Sequence, residues 1–152
     1  MRNRLFSVLG AILTLFVPPL IGADRSANAF PEPTPLVKAA LERYHPGLGS
    51  DRVVAVRVKD LERRGLPQSF IADFRSGTAM TINGHLPIFV NLDSDRYRSW
   101  ERMFVSSTSD VVGMMASIIT HEFYHAAGKG ELEAYQAQVK MLDELRLAGT
   151  LT

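Results

Sequence analysis

Residues 111–127 restrict the fold of this chain more than any other segment, because their apolar side chains cover most of the circumference of a helix. A surface helix carries one apolar stripe, whereas a helix of this kind is buried on nearly all sides. Gly128-Lys129-Gly130 then interrupts the helical pattern. The sequence therefore predicts a domain in which this helix is buried. Its apolar positions are Val111, Val112, Met114, Met115, Ile118, Ile119 and Phe123.

The other periodicities predict an α+β domain with a small, mostly antiparallel sheet. Helical spacing occurs in Leu36–Tyr44, in Asp95–Phe104 and in Glu131–Leu147, which closes the fold. The valines of Asp51–Lys59 predict a strand. The order of the strands in the sheet is left open.

A β-meander is predicted for residues 70–91, with strands at Phe70–Phe74, Thr78–Ile82 and His85–Asn91. Asn83-Gly84 is the strongest hairpin signal in the chain, because both positions tolerate positive φ. Pro87 marks the returning strand as an edge strand, or else the start of a strand, since proline cannot donate to a sheet ladder.

The first 29 residues predict a signal peptide rather than part of the domain. A basic start, Met1–Arg4, is followed by the nearly continuous apolar run Leu5–Ile21 and by Ala27-Asn28-Ala29, which suits signal peptidase. We expect cleavage after Ala29, with Ala23 as the second choice, and a protein exported to the periplasm or secreted. The alternative is a retained membrane anchor, although the apolar run is short for a span and contains two prolines.

Residues 30–152 are then a single domain with almost balanced charge. Removing residues 1–29 leaves 14 of the 17 basic side chains and 15 of the 16 acidic ones, a net charge of −1. Nothing in this balance indicates a nucleic-acid surface or, after cleavage, an association with membranes. The chain contains no cysteine, so any metal site must use His, Asp or Glu.

His121 and His125 are candidate metal ligands on the apolar helix. Residues four apart lie on one helix face, so the two imidazoles can bind one ion at about 2.0–2.1 Å. Glu122 lies about 100° further round the helix, where a carboxylate can take a proton from a metal-activated water. The alternative is a pair of hydrogen-bonded core histidines beside an incidental glutamate.

The third ligand is predicted to be Glu131, with Glu133 as the alternative. At 100° per residue, Glu131 lies within the apolar stripe of the last helix, while Glu133 lies on the opposite, solvent side. A favourable charge in the first turn of a helix would explain Glu133 well and an inward Glu131 poorly. The residues of that stripe are Leu132, Tyr135, Val139, Leu142 and Leu145.

The segment His121-Glu122-Phe123-Tyr124-His125 resembles the HExxH metallopeptidases, the zincins. With Gly128 and Glu131 it has the spacing of the metzincin motif HExxHxxGxx plus a third ligand, although that ligand is usually His and the Met-turn of that class has no counterpart here. Glu131-Leu132-Glu133-Ala134 also resembles the ExxA helix of gluzincins. The resemblance covers about eleven residues, and the chain as a whole resembles short exported metallopeptidases.

The resemblance implies one Zn²⁺ ion held by His121, His125 and Glu131, with Glu122 as general base and a peptide or protein as substrate. The substrate would lie along an edge strand, for which His85–Asn91 is the candidate. Tyr135 and His85 are candidate helpers for the developing oxyanion.

Two other functions remain open at this point. One is hydrolysis of a different amide bond, and the other is an exported zinc-binding module without catalysis, in which Glu122 would be dispensable. Closed structural zinc sites usually have four protein ligands, which argues against the second. The sequence makes no prediction of oligomeric state.

Overall fold

The computed structural model describes residues 30–49, 51–106 and 109–151, which form an α+β fold as predicted. The predicted signal peptide and its cleavage site, residues 1–29, lie outside the described residues. No helix in the described ranges combines the length and apolarity that a membrane crossing requires. The elements in chain order are α1 (Pro35–Tyr44), β1 (Val53–Val56), α2 (Val58–Arg63), α3 (Gln68–Ser76), β2 (Ala79–Ile82), β3 (His85–Asn91), α4 (Asp95–Ser106), α5 (Ser109–Ala126) and α6 (Glu131–Leu147).

The strands form one mixed sheet in the order β1-β3-β2. β3 is parallel to β1 and antiparallel to β2, so the prediction of a mostly antiparallel sheet is wrong. The chain leaves β1 through α2 and α3 and returns as β2, and the tight turn at Asn83-Gly84 then places β3 between the two earlier strands. Both turn residues have positive φ, 51° and 69°, which confirms the predicted hairpin.

The prediction that His85–Asn91 is an edge strand is also wrong. β1 and β2 flank β3 from Ile88 onwards, so neither side of that stretch is open. Pro87 precedes the pairing with β1 and therefore removes no hydrogen bond from that ladder. The edge strand on the hairpin side is β2.

The segment Phe70–Phe74, predicted as a strand, lies in the helix α3. Phe70, Ile71 and Phe74 are spaced for one face of a helix, and all three are buried on that face. They pack with Phe89 of β3 in one apolar cluster. The 3.6-residue period therefore describes this segment, and the assignment of a third strand to the meander is wrong.

The strand predicted at Asp51–Lys59 is real but shorter, because it ends at Val56 and a helix starts at Val58. The carboxylate of Asp93 accepts a hydrogen bond from the N–H of Val58 at 3.0 Å. This bond satisfies one of the free donors at a helix start through a residue that is remote in sequence. Local β propensity at this position is thus overridden by a tertiary contact.

Helices cover both faces of the sheet, and α5 lies in the larger of the two layers. Successive residues of β1 alternate between layers: Val53 and Ala55 face α1 and α5, whereas Val54 faces α2 and α3. α5 contacts α1, α4, α6, β2 and β3, which confirms the predicted burial of this helix. Phe123 is the exception among its predicted buried positions, with 40% of its surface exposed.

α6 begins and ends at the predicted residues, but its predicted apolar stripe is buried only in part: Leu145 is buried, whereas Leu132, Tyr135 and Val139 are exposed. The side that meets α5 carries Ala134 and Leu145, which are buried, with Gln138 between them. Alanine has no side chain beyond Cβ, so Ala134 allows the two helices to approach closely. Glu131 heads this true inner face, since it lies seven residues from Gln138. The large apolar residues left exposed on α6 are Leu132, Tyr135, Val139 and Leu147.

Candidate metal centre

His121 and His125 present their Nε2 atoms to the same point at the end of α5. The two Nε2 atoms are 3.1 Å apart, and the ring centroids are 4.8 Å apart with an interplanar angle of 76°. The two side chains are only 12% and 19% exposed. Their spacing in the sequence therefore produces the predicted pairing on one helix face.

Glu131 reaches the same point from the first position of α6. Its two carboxylate oxygens lie 3.5 Å from Nε2 of His121 and 3.4 Å from Nε2 of His125. Gly128, with a φ of 77°, lies in the turn between the two helices. The three side chains form the group of possible metal ligands found among the described residues, with donor atoms within 4.8 Å of one another.

These separations fit one tetrahedral ion. Ligand atoms that each lie about 2.0–2.1 Å from a tetrahedral zinc are roughly 3.3–3.4 Å apart, close to the 3.1, 3.4 and 3.5 Å found here. Three protein ligands leave a fourth position for water or substrate, which is the pattern of catalytic rather than structural zinc sites. The Glu131 side chain is 72% exposed, so the group lies at the surface of the protein.

Glu133, the alternative third ligand, contacts Gly130 and Lys129 instead of the two histidines. One of its carboxylate oxygens accepts a hydrogen bond from the N–H of Gly130 at 3.1 Å, and the other lies 3.2 Å from Nζ of Lys129. These two contacts lower the pKa of Glu133. The carboxylate thus caps the start of α6, and the geometry favours Glu131 as the ligand.

The two histidines differ in the hydrogen-bond partners of their Nδ1 atoms, which face away from the other possible ligands. Nδ1 of His125 lies 3.1 Å from the carbonyl oxygen of Lys129, which can accept its proton and leave Nε2 free for a metal. Nδ1 of His121 is buried without a hydrogen-bond partner among the described residues. The side chain of Gln138 acts on this ring and raises its pKa, but it does not complete a bond to Nδ1.

His121 is nevertheless held in the form that binds metals. Burial lowers its pKa and the neighbouring His125 lowers it further, which together outweigh the opposite effects of Glu131 and Gln138. A neutral imidazole has a free lone pair, whereas a protonated one cannot bind an ion. The ring is also fixed by Tyr135, whose centroid lies 4.6 Å away at an angle of 71°.

We expect Gln138→Ala to weaken zinc binding, because the Gln138 side chain acts on the His121 ring and would be its outer partner when the ring binds an ion. Loss of such an outer partner lowers metal affinity roughly 10–100-fold. Competition with a chromophoric chelator would measure the change. Gln138→Glu, which keeps an acceptor, should restore the affinity, and Gln136→Ala on the exposed side of α6 is the control. Equal affinities in all three variants would contradict this role.

Glu122 lies beside the histidines but is held by the sheet. Its Oε2 accepts a hydrogen bond from the N–H of Thr81 at 3.0 Å, and the residue is only 9% exposed. Burial raises the pKa of Glu122 to about 7, although His125 and the Thr81 N–H act to lower it. The carboxylate is thus fixed in position without joining the three possible ligands.

The Thr81 N–H is available because of the register of the sheet. Thr81 is opposite Ile88, whose own N–H donates to the carbonyl of Arg52 on the β1 side. This pair therefore exchanges no hydrogen bonds, and the N–H of Thr81 points to the open edge of β2. Thr81 was missed by sequence reasoning, since its side chain carries none of the chemistry.

The hairpin turn contacts the end of α5. A Cβ atom on Gly84 would lie 2.9 Å from the carbonyl oxygen of His125, and Gly84 has a φ of 69°. Glycine is therefore required here both for its backbone conformation and for the close approach. This contact links the sheet to the helix turn that carries His125.

We expect Gly84→Ala to destabilise the protein and to weaken zinc binding, since the new methyl group would push the hairpin away from His125. Gly65 is the matched control, because it has the same φ of 69° but no atom within 4 Å of its Cβ position. Gly65→Ala should cost only the backbone strain, about 1–3 kcal/mol, and leave zinc affinity unchanged. Urea unfolding and zinc titration would compare them, and equal losses in both variants would contradict the contact.

The two candidate oxyanion helpers have different places in the structure. Tyr135 packs against His121 and is 57% exposed, so it lies at the group. His85 is the first residue of β3 and is exposed, and it does not belong to the group of possible ligands among the described residues. Tyr135 is therefore the better-placed candidate.

Comparison with known proteins gives no relative: the chain matches no protein-family model, no curated protein and no solved structure. A fold alone does not specify a function, which depends on the site that the fold carries. What this protein does must therefore be argued from the geometry of its own residues.

Proposed function

We propose that this protein is a zinc-dependent metallopeptidase that hydrolyses peptide bonds outside the cytoplasm. The observation that carries the proposal is the convergence of His121, His125 and Glu131 at separations that suit one tetrahedral ion. Glu122 lies next to them, buried and aimed by a backbone hydrogen bond. The proposed export of the protein rests on the signal-peptide pattern of residues 1–29.

Two features near the three possible ligands favour a catalytic metal over a structural one: the solvent exposure of Glu131 and the buried carboxylate of Glu122. A structural site is closed by a fourth protein ligand, whereas this group is exposed to solvent at Glu131. A buried carboxylate that binds no metal has a desolvation cost, which a purely structural site would have no reason to carry. Glu122 has that cost, and a role in proton transfer accounts for it.

In the proposed reaction each residue has a distinct task. When bound, zinc supplies a Lewis acid that polarises the scissile carbonyl and lowers the pKa of water to about 7. Glu122 keeps Oε2 on the Thr81 N–H, so its Oε1 is the atom that takes the proton from the attacking water. The same oxygen then passes that proton to the leaving amine nitrogen. Tyr135 can donate a hydrogen bond to the developing oxyanion.

The substrate would lie along β2 rather than β3. β2 is the edge strand beside Glu122, and an edge strand can add main-chain hydrogen bonds to an extended peptide. A peptide bound along an edge strand is extended, which suits a flexible or unfolded substrate.

Metal binding and hydrolysis by the purified protein test the proposal together. We expect one zinc per chain and a higher melting temperature with added zinc. At 100 times the dissociation constant the gain is about 2.7 kcal/mol, which raises the Tm of a domain this size by roughly 10 °C. Cleavage of an unfolded protein should stop with a chelator and resume with zinc. A protein that neither binds zinc nor shifts its Tm would overturn the proposal.

Processing of the N-terminus tests the export part separately. Sequencing of the mature protein should begin at Phe30, and an intact Met1 would contradict it.

A further inference from the structure

Few buried side chains hold α6 to the rest of the protein. Ala134 and Leu145 are the buried residues among its 17 described positions, and neither belongs to the two apolar clusters that form the core of the described chain. Met141 is partly buried and packs against the larger cluster. By contrast, the ten-residue helix α1 places four buried residues in that cluster. Because apolar burial is the main favourable term in packing, α6 is weakly attached for a helix of its length.

The contacts that join α6 to α5 involve small or polar residues of α5. A Cβ atom on Gly113 would lie 2.9 Å from the side chain of Leu145, and the hydroxyl of Thr120 lies 3.0 Å from the sulfur of Met141. The large buried apolar residues of α5 belong instead to the core cluster that it shares with α1 and the sheet. Movement of α6 away from α5 would therefore leave most of that core in place. The α5 residues in the cluster include Val111, Val112, Met115 and Ile119.

The other contacts of α6 converge on the ring of His121. A carboxylate oxygen of Glu131 lies 3.5 Å from its Nε2, the ring centroid of Tyr135 lies 4.6 Å from its own, and the side chain of Gln138 acts on the same ring. Residues spaced by four and three positions lie on one helix face. A ligand that fixes His121 and Glu131 together would therefore also fix this face of α6 on α5.

We propose that the docking of α6 on α5 depends on the metal, so that the metal-free protein loses this contact while its other elements stay folded. The inference rests on the proposed metal site. An ion bound by His121, His125 and Glu131 joins the two helices, whereas an exposed contact between a carboxylate and an imidazole contributes little by itself. Helix stability in proteins comes mostly from tertiary packing, so a detached α6 would also lose its helical hydrogen bonds.

Amide hydrogen exchange measures this opening, and α1 is the internal control because it also packs on α5. In the metal-free protein we expect the amides of α6 to exchange much faster than those of α1. Zinc at 100 times its dissociation constant should slow exchange in α6 about 100-fold, since an ion that binds only the docked state suppresses opening by that factor. Mass spectrometry of peptic peptides resolves the two helices.

His121→Ala tests whether this ring couples α6 to the metal. The variant lacks both a metal ligand and the ring that three residues of α6 contact, so fast exchange in α6 should persist when zinc is present. Protected amides in α1 would show that the rest of the variant is folded. His85→Ala is the matched control and should behave as the wild type, because His85 is exposed at the start of β3 and lies outside the group of possible ligands among the described residues. Slow exchange in α6 of His121→Ala would contradict the proposal.

The zinc content of the same samples separates this inference from the proposed function. If the protein binds zinc but α6 is as well protected as α1 without it, the inference is wrong and the metal site stands. If loss of zinc exposes the amides of α1 and β3 together with those of α6, the domain unfolds as a whole and the inference is also wrong. A protein that binds no zinc removes the basis of both proposals.

Discussion

Glu122→Gln is expected to keep its zinc and to lose peptide hydrolysis. Glutamine has the same shape as glutamate and can still accept the hydrogen bond from the Thr81 N–H, so the fold and the three ligands should be unaffected. It cannot take a proton from water, and general acid–base catalysis contributes about 10²–10⁴-fold to a rate. We therefore expect kcat/KM to fall at least by that factor, while the zinc content stays at one per chain.

The control for this variant is Glu42→Gln, a change of the same type on the exposed side of α1, where Glu42 lies 3.8 Å from Lys38. It should leave zinc content, Tm and hydrolysis unchanged. Full activity in Glu122→Gln with zinc bound would show that the metal is structural, or that another group is the base. Loss of zinc from Glu122→Gln would instead place Glu122 among the ligands.

The second large effect is expected at the third ligand. Glu131→Gln removes the anionic oxygens that lie 3.4 and 3.5 Å from the histidine nitrogens. The loss of zinc affinity should exceed the roughly 10–100-fold that removal of an outer partner costs. Hydrolysis should fall in parallel at limiting zinc and recover partly when zinc is in excess. Chelator competition measures the first effect and peptide cleavage the second.

Glu133→Gln is the matched control, because it makes the same chemical change two residues away. Glu133 caps α6 through the Gly130 N–H, so this variant should lose a little stability and keep its zinc affinity. The reverse pattern would assign the ligand to Glu133. Equal and small effects in both variants would show that the metal, if bound, is held elsewhere.

Sequence reasoning succeeded where the signal is local. The bounds of α6, the apolar character of α5 and the hairpin at Asn83-Gly84 all follow from short-range patterns and turn chemistry. The pairing of His121 with His125 depends only on helix geometry, so it too could be read from spacing.

It failed where tertiary contacts decide. Phe70, Ile71 and Phe74 fit either a short strand or one helix face, and only their packing against Phe89 distinguishes the two. The start of α2 depends on Asp93, which lies far along the chain. A parallel pairing of β1 with β3 cannot be read from either strand, because periodicity carries no information about strand order.

The candidate site shows the same division. Glu131 was favoured for its place in an apolar stripe, yet Leu132, Tyr135 and Val139 of that stripe are exposed, and Glu131 lies on the face that carries Ala134 and Leu145. The contact of Gln138 with His121 arises from the approach of α6 to α5, which no local pattern specifies. Residues that support a site from another helix or strand are therefore the ones that sequence patterns do not predict.

The hydrogen bond from Thr81 to Glu122 has a consequence for how this site tolerates change. The donor is a peptide group, which every amino acid except proline supplies, so the identity of residue 81 is constrained only by packing in the strand. Substitutions at residue 81 can therefore accumulate without disturbing Glu122, the proposed general base. Homologues that differ at residue 81 would still share the interaction, and an amide-to-ester replacement of that single linkage would be the way to remove it.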